Sequence, residues 1–296
     1  MEAHRDDYKF LEIRDAVACI NQKVSLLAVV LEFGLPKKSK GTDWYCTMKI
    51  IDESHPQPGL SVNFFAESPE LLPRIASVGD IIQLSSVMMR CHHGEVNAVF
   101  DKRFSSFALY EGKDGKDLCP YRSSSRFHAR DLDSNFVAEL RKWLSHFQLN
   151  EGSSSFLYLR DIKEEQLDLV CKILHVYEVA KNEWMALVWD GTDSAPVIIR
   201  QRLEDEMDNP LPLQLEPLPL SRDLLRTFPT VGTILHVIIE KGNEKHVLHL
   251  LNPGKWMKFV NIRCEAHSGL WRGVITPFTR LRYTPNEDCL VLARKK

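Results

Sequence analysis

The sequence predicts a mainly β chain folded as two consecutive five-stranded barrels. Three observations carry this. Five strand-like segments between residues 22 and 110 leave room for only one short helix, between the third and the fourth. A long aliphatic strand followed by a strand that opens on an acid and an aromatic, and closes on Asp with a hydroxyl residue two positions on, occurs once in each half. Between the two copies lie an amphipathic helical stretch at 136–147 and a breaker cluster, NEGSSS, at 150–155.

The elements follow in order. QKVSLLAVVLEF (22–33) is rich in aliphatics and reads as a long strand, and GLPKKSKG (34–41) as a loop. DWYCTMKIID (43–52) alternates and forms the second strand; SHPQPG (54–59) is a turn and LSVNFFA (60–66) the third strand. SPELLPRIAS (68–77) reads as a short helix, with Ser68 as a candidate N-cap and Pro69 at its first position. VGDIIQLSSVMMR (78–90) is a fourth strand behind a glycine lead-in, and VNAVFDKRFSSFALY (96–110) a fifth with room for a bulge. Five strands with one helix after the third is the order of an OB-fold, a small Greek-key barrel. A parallel α/β arrangement fails, because the links between the first three strands are too short for crossover helices.

EGKDGKDLCPYRSSSR (111–126) is a polar linker. In the helix that follows, Phe136, Val137, Leu140, Trp143, Leu144 and Phe147 share one face, and Ser134 or Asn135 is placed to cap it. The predicted domains are therefore 1–149, the first OB-fold plus the linker helix, and 150–296, the second OB-fold. In the second copy QLDLVCKILHVYEV (166–179) and EWMALVWDGT (183–192) repeat the first two strands, and the acidic, proline-rich 201–220 reads as an inserted loop. Two segments compete for its fourth strand, VGTILHVII (231–239) and PGKWMKFVNIR (253–263); the second leaves GVITPFTRLRY as the last strand.

Composition excludes several classes of function. Hydrophobic residues make up 44% and charged residues 26% of the 296, as in a globular protein with a buried core. No apolar run approaches the roughly 18 residues of a membrane span, and the polar start MEAHRDDYKF is no secretory signal. Seven cysteines without a CxxC argue against a disulfide framework and for a reducing compartment. The nearest metal candidate, Cys91-His92-His93, would point neighbours to opposite faces of a strand, so no metal site is expected. The net charge of −2 divides evenly between the halves, so any nucleic-acid affinity must come from a local groove with stacking rings. Phosphate loops, HExxH and GxSxG are missing; neither catalytic residues nor a cofactor is expected.

One stretch has the right chemistry for single-stranded nucleic acid. Lys37, Lys38 and Lys40 occupy the loop between the first two strands, Phe33 precedes it, and Trp44 and Tyr45 follow. Ammonium groups suit phosphates, and flat rings suit base faces at roughly 1–3 kcal/mol per stack. Thr42 adds a donor, and Asp43 an acceptor for a guanine or cytosine amine. Of the two rings Trp44 and Tyr45, one must face the core. On these residues alone, a nucleic-acid platform and a protein-interaction barrel both remain open.

The same residues resemble a known family. SKGTD (39–43) resembles the loop of the first OB-fold in the Protection-of-Telomeres family of telomere end-binding proteins. VNFFAESPELLP (62–73) resembles that barrel's third strand and helix, VGDIIQL (78–84) its fourth strand, AELRKWL (138–144) the linker helix and VWDGT (188–192) the second barrel. The resemblance implies tandem OB-folds gripping the G-rich single-stranded overhang of chromosome ends. It assigns base and backbone contacts to Lys40, Thr42 and Asp43, a stacked base to Phe65, an aromatic before the loop to Phe33, and a groove-lining segment to Arg90, His92, His93 and Asn97. In the second barrel it points to His267, Phe278 and Arg280, and to Lys241, where Lys241-Gly242 replaces an aromatic–acid pair. His92 stands where vertebrate members have tyrosine, Ser86 where they have a basic residue and His93 where they have lysine; each swap removes stacking area or charge. The resemblance also favours Gly254 as the lead-in to the second barrel's fourth strand, with 231–251 as a long hairpin region. Members are usually longer, with a C-terminal part that docks a telomeric protein, so a DNA-binding fragment or an incomplete chain is expected. The implied protein is nuclear, monomeric, at the chromosome telomere and off membranes, with telomerase and other telomere proteins as further partners. The competing class is a protein-binding OB tandem of the telomere or telomerase complex with weak or lost DNA contacts.

Overall fold

A computed structural model describes residues 9–92, 94–147, 156–197, 220–267 and 269–295. The chain divides into two compact units, Met1–Leu149 and Asn150–Lys296.

In the first unit the barrel strands are β1 (Lys23–Gly34), β3 (Trp44–Ile51), β4 (Leu60–Ala66), β5 (Ile81–His92) and β6 (Glu95–Phe100), with a two-residue β2 (Lys37–Lys38) on the edge of β3 and, beyond β5, β7 (Ser106–Tyr110) paired to a two-residue β8 (Arg122–Ser123). β1 pairs antiparallel with β3, β3 with β4, β4 parallel with β6, β6 antiparallel with β5, and β5 with β1. The ring closes in the order first–second–third–fifth–fourth, which is the OB order. Alternation sets the faces. Cys46, Met48 and Ile50 of β3 and Val62 and Phe64 of β4 are buried, while Tyr45, Thr47, Lys49, Ser61, Asn63 and Phe65 turn outward. Inside, the rings of Phe64, Phe100 and Phe107 meet at centroid distances of 5.2 to 6.3 Å.

The second unit repeats this ring with β9 (Gln166–Ala180), β10 (Glu183–Trp189), β11 (Leu235–Ile239), β12 (Trp256–His267) and β13 (Leu270–Ile275). β11 runs parallel to β13, and every other pairing in the ring is antiparallel. Of the two segments competing for its fourth strand, 253–263 falls in β12. Gly254 precedes it at φ 84, as Gly79 precedes β5 at φ 101, a backbone conformation that favours glycine. The 231–251 segment is no hairpin: it supplies the third strand, β11, and a short helix, Glu244–Val247. Its sequence resembles a fourth strand because both positions are central and fully apolar inside; strand pairing, not letters, separates them.

The repeated Asp-plus-hydroxyl ending is a structural clip. Asp52 accepts from the Ile13 amide at 2.7 Å and from the Ser54 hydroxyl at 2.6 Å, and the Arg14 amide donates to that hydroxyl oxygen at 3.1 Å. Asp190 accepts from the Leu159 amide at 2.7 Å and the Thr192 hydroxyl at 2.8 Å, and the Arg160 amide donates to Thr192 at 3.1 Å. In both units a buried carboxylate at the end of the second strand ties down the turn that leads into the barrel. VWDGT is therefore a mark of the fold, not of a ligand.

Both long fourth strands bulge at a residue with positive φ, Ser86 at 57° and Asn261 at 60°. The Ser86 carbonyl accepts from the Ser105 hydroxyl and the Asn261 carbonyl from the Thr279 hydroxyl. This bulge splits the predicted fifth strand. β6 pairs with one arm of β5, the chain turns at Asp101–Ser105, and β7 (Ser106–Tyr110) pairs with the other arm. In the second unit β13 and β14 (Arg280–Arg282) divide β12 in the same way.

Two helix expectations change. The helix expected over 68–77 is a single 3-10 turn, Pro69–Leu71, because Pro73 has no amide hydrogen to extend it. The linker helix spans Asp133–His146 without a side-chain cap from Ser134 or Asn135; Asp133 instead accepts from the Arg130 amide at 3.1 Å. It buries Val137, Arg141 and Leu144, while Phe136 stays 42% exposed. Arg141 reaches across to the Glu111 and Asp117 carbonyls, fixing the linker to the helix. Residues 201–219 of the expected inserted loop, and the whole 150–155 cluster, lie outside the described residues. Among the described residues no helix is long and apolar enough to cross a membrane.

Candidate nucleic-acid interface

Strand register builds the outward face of the first barrel in rows. One row opposes Tyr45 and Phe65, whose rings stack at 6.1 Å with 25° between planes; the Lys37 ammonium lies 5.9 Å from the Tyr45 centroid. The next row runs Thr47, Asn63, Val99, Met88, with the Thr47 hydroxyl donating to the Asn63 amide oxygen at 2.9 Å. The third runs Lys49, Ser61, Asn97, Arg90. That row carries the cations Lys49 and Arg90, with the buried Glu32 of β1 opposite Lys49, and Arg90 donates to the neutral Asn21 side chain at 2.6 Å. Flat rings at one end and the cations Lys49 and Arg90 at the other answer the requirement that net charge does not meet.

The KGTD segment closes beside the ring row. The Ser39 amide donates to the Asp43 carbonyl at 2.9 Å, leaving Lys40, Gly41 and Thr42 exposed at the tip. Asp43 lies 3.5 Å from the Lys102 ammonium, which also meets Glu67 at 3.1 Å. The bond to Glu67, with the Asp43 charge behind it, holds the Lys102 ammonium above the usual lysine range. A cleft of about 440 Å³ opens next to Phe65, lined by Lys102, Arg103, Arg122 and Arg126 among others.

Of the residues expected in this site, Lys40, Thr42, Asp43 and Phe65 gather at one end of the face, and Asn97 and Arg90 share a row at the other, with exposed His92 at the hairpin beyond them. Phe33 is corrected: it is 2% exposed, opposite Met48 in the β1–β3 ladder, so its ring packs inside and offers no face to a base. His93 lies outside the described residues. The sequence left open which of Trp44 and Tyr45 faces outward, and Lys49 and Lys102 were not among the expected residues. Parity marks Tyr45 and Lys49, since Tyr45, Thr47 and Lys49 alternate with the buried Cys46, Met48 and Ile50; Lys102 is brought in only by the turn after β6.

The second unit spreads its expected residues. His267 ends β12, whereas Phe278 sits near Asn261, six positions back along that strand or about 20 Å. Phe278 is 61% exposed and Arg280, on β14, is exposed as well. Lys241 is held by Glu183 at 2.7 Å, which raises its ammonium above the usual range. The buried thiols of Cys46 and Cys171 are pushed up by burial, and that of Cys264 to about 12, so none is a nucleophile. Among the described residues no cluster of His, Cys, Asp and Glu is arranged to hold a metal.

Residues 4–154 match the family described as telomeric single stranded DNA binding POT1/CDC13. The chain belongs to that family. Two relatives from Arabidopsis thaliana extend the likeness of this POT1/CDC13 member through the second unit. Protection of telomeres protein 1b is 40% identical over 97% of the chain, and protection of telomeres protein 1a is 37% identical over 98%. The chain spans 62% and 63% of their lengths. Among solved structures, fission yeast Pot1 with single-stranded DNA aligns over 99% of this chain and 95% of its own, at 18% identity and a TM-score of 0.40.

Proposed function

We propose that the chain binds the unpaired, G-rich strand at chromosome ends and so shields the end from repair factors and from telomerase. The single observation that carries this reading is the outward face of the first barrel: the stacked Tyr45–Phe65 pair shares it with a row that holds Lys49 and Arg90. Rings hold bases of any kind, and Thr42 and Asp43 at the tip supply the base-edge bonds that select guanine. Two barrels would cover about 8–12 nucleotides. Family membership, and relatives named for telomere protection, support a nuclear protein at telomeres. The chain acts by binding, as a monomer, without a cofactor; telomerase and other telomere proteins are its further partners.

One observation favours a second reading, a protein-docking barrel: Arg263 and Arg272 on the outward face of the second unit are each matched by an acid. Fluorescence anisotropy with a G-rich telomeric repeat against a scrambled strand of equal length separates the two. The first reading expects clear preference for the repeat. Equal binding to both, or none, transfers the function to protein docking.

A further inference from the structure

The two barrels are similar in fold but opposite in charge at one place on the groove face. Each fourth and fifth strand form a hairpin closed by an outward histidine, His92 opposite Glu95 in the first unit and His267 opposite Leu270 in the second. Two positions back from these histidines, on the same face, stand Arg90 opposite Asn97 and Glu265 opposite Arg272. Where the first barrel presents a guanidinium the second therefore presents a carboxylate, and that carboxylate is already engaged. One Glu265 oxygen accepts from Arg272 Nε at 2.6 Å and the other lies 3.5 Å from Arg263 Nε, while Arg263 also meets Glu240 at 3.4 Å. All four side chains are between 29% and 43% exposed, so water screens these pairs only in part.

We propose that Glu265 sets the DNA affinity of the second unit by holding Arg263 and Arg272 away from the phosphate backbone. The inference rests on the reading of the chain as a single-strand binder. Counterion release then comes mainly from the first barrel, and the second contributes base contacts with little dependence on salt. Neutralising the carboxylate without changing its size frees Arg272 and leaves Arg263 with Glu240 alone.

The test measures Kd for a G-rich strand against salt for the wild type, Glu265→Gln, Arg272→Gln, the double variant, and Glu240→Gln. Glu265→Gln should bind about five-fold more tightly at low salt, with a log–log salt slope steeper by about 0.7, the value for one added phosphate contact, since Arg263 keeps Glu240. Arg272→Gln alone should stay within about two-fold of wild type, yet in the Glu265→Gln background it should cancel most of the added slope. Glu240→Gln, which frees Arg263 from one of its two acids, should give a smaller gain of the same sign and stands in if Glu265→Gln misfolds. Wild-type binding with unchanged or weaker affinity and an unchanged slope in Glu265→Gln overturns the proposal alone. Failure of the wild type to bind any single strand overturns the underlying function instead.

Discussion

Phe33 and Phe65 are the same residue type with opposite tasks, and burial tells them apart. Phe65 is 38% exposed with one ring face on Tyr45, so Phe65→Ala should weaken binding of a G-rich strand by about 1–3 kcal/mol and leave the unfolding midpoint nearly unchanged. Phe33 is 2% exposed, so Phe33→Ala should cost about 3–5 kcal/mol of stability through the cavity it leaves. Paired urea titrations and anisotropy curves check both; a stable Phe33→Ala protein that has lost DNA binding would reverse the assignment. Asp43 carries a condition of its own. It meets a base amine only in competition with Lys102, and Lys102 has Glu67 to fall back on.

Among the elements, the strand-end clips and the buried pair in the second unit make the sharpest expectations. Asp52→Ala and Asp190→Ala each strand a buried amide, of Ile13 and Leu159, and should cost about 1–3 kcal/mol in denaturant unfolding without touching ligand binding. Lys258 and Asp288 form an ion pair at 2.7 Å with both side chains fully buried, and Asp288 also accepts from the Leu290 amide at the start of helix Cys289–Arg294. Removing one partner leaves a charge without compensation. Lys258→Ala is expected to cost about 3–5 kcal/mol, and the apolar pair Lys258→Met with Asp288→Leu to recover most of it. A double variant no more stable than the single one would mean that the Asp288 cap, not the charge pair, dominates. The elements were largely legible in the sequence. Alternation marked the barrel strands of the first unit to within a few residues, and Asp with a hydroxyl two on marked the repeat. The short helix after the third strand shrinks to one 3-10 turn: Ser68-Pro69 is a sound start, but Pro73 has no amide hydrogen to continue it.

For the whole molecule, pH reads a contact between parts distant in sequence. Asp80, behind the Gly79 turn, accepts from the amides of Ser77 at 2.8 Å and Gly112 at 3.1 Å and from the Tyr121 hydroxyl at 2.8 Å, joining the barrel to the linker. Burial nevertheless raises its carboxyl above the ordinary 3.8, the hydrogen bonds offsetting only part of the shift. A raised folded pKa places the stabilising contribution below the unfolded value and removes it as pH climbs through the folded one. The wild type should therefore lose stability relative to Asp80→Asn as pH rises from the ordinary carboxylate value through the raised folded one, seen in urea midpoints from acid toward neutral pH. A stability difference that is flat or grows with pH would contradict the burial argument.

By itself the sequence determined the strand faces, the tandem and the family, because alternation and local turn chemistry are written within a few neighbouring residues. Only the tertiary structure decided that 235–239 is a third strand, that Tyr45 joins Phe65, and that Glu265 stands where Arg90 stands. Each of these depends on which strand lies alongside which, and partners tens of residues apart leave no local mark on either segment.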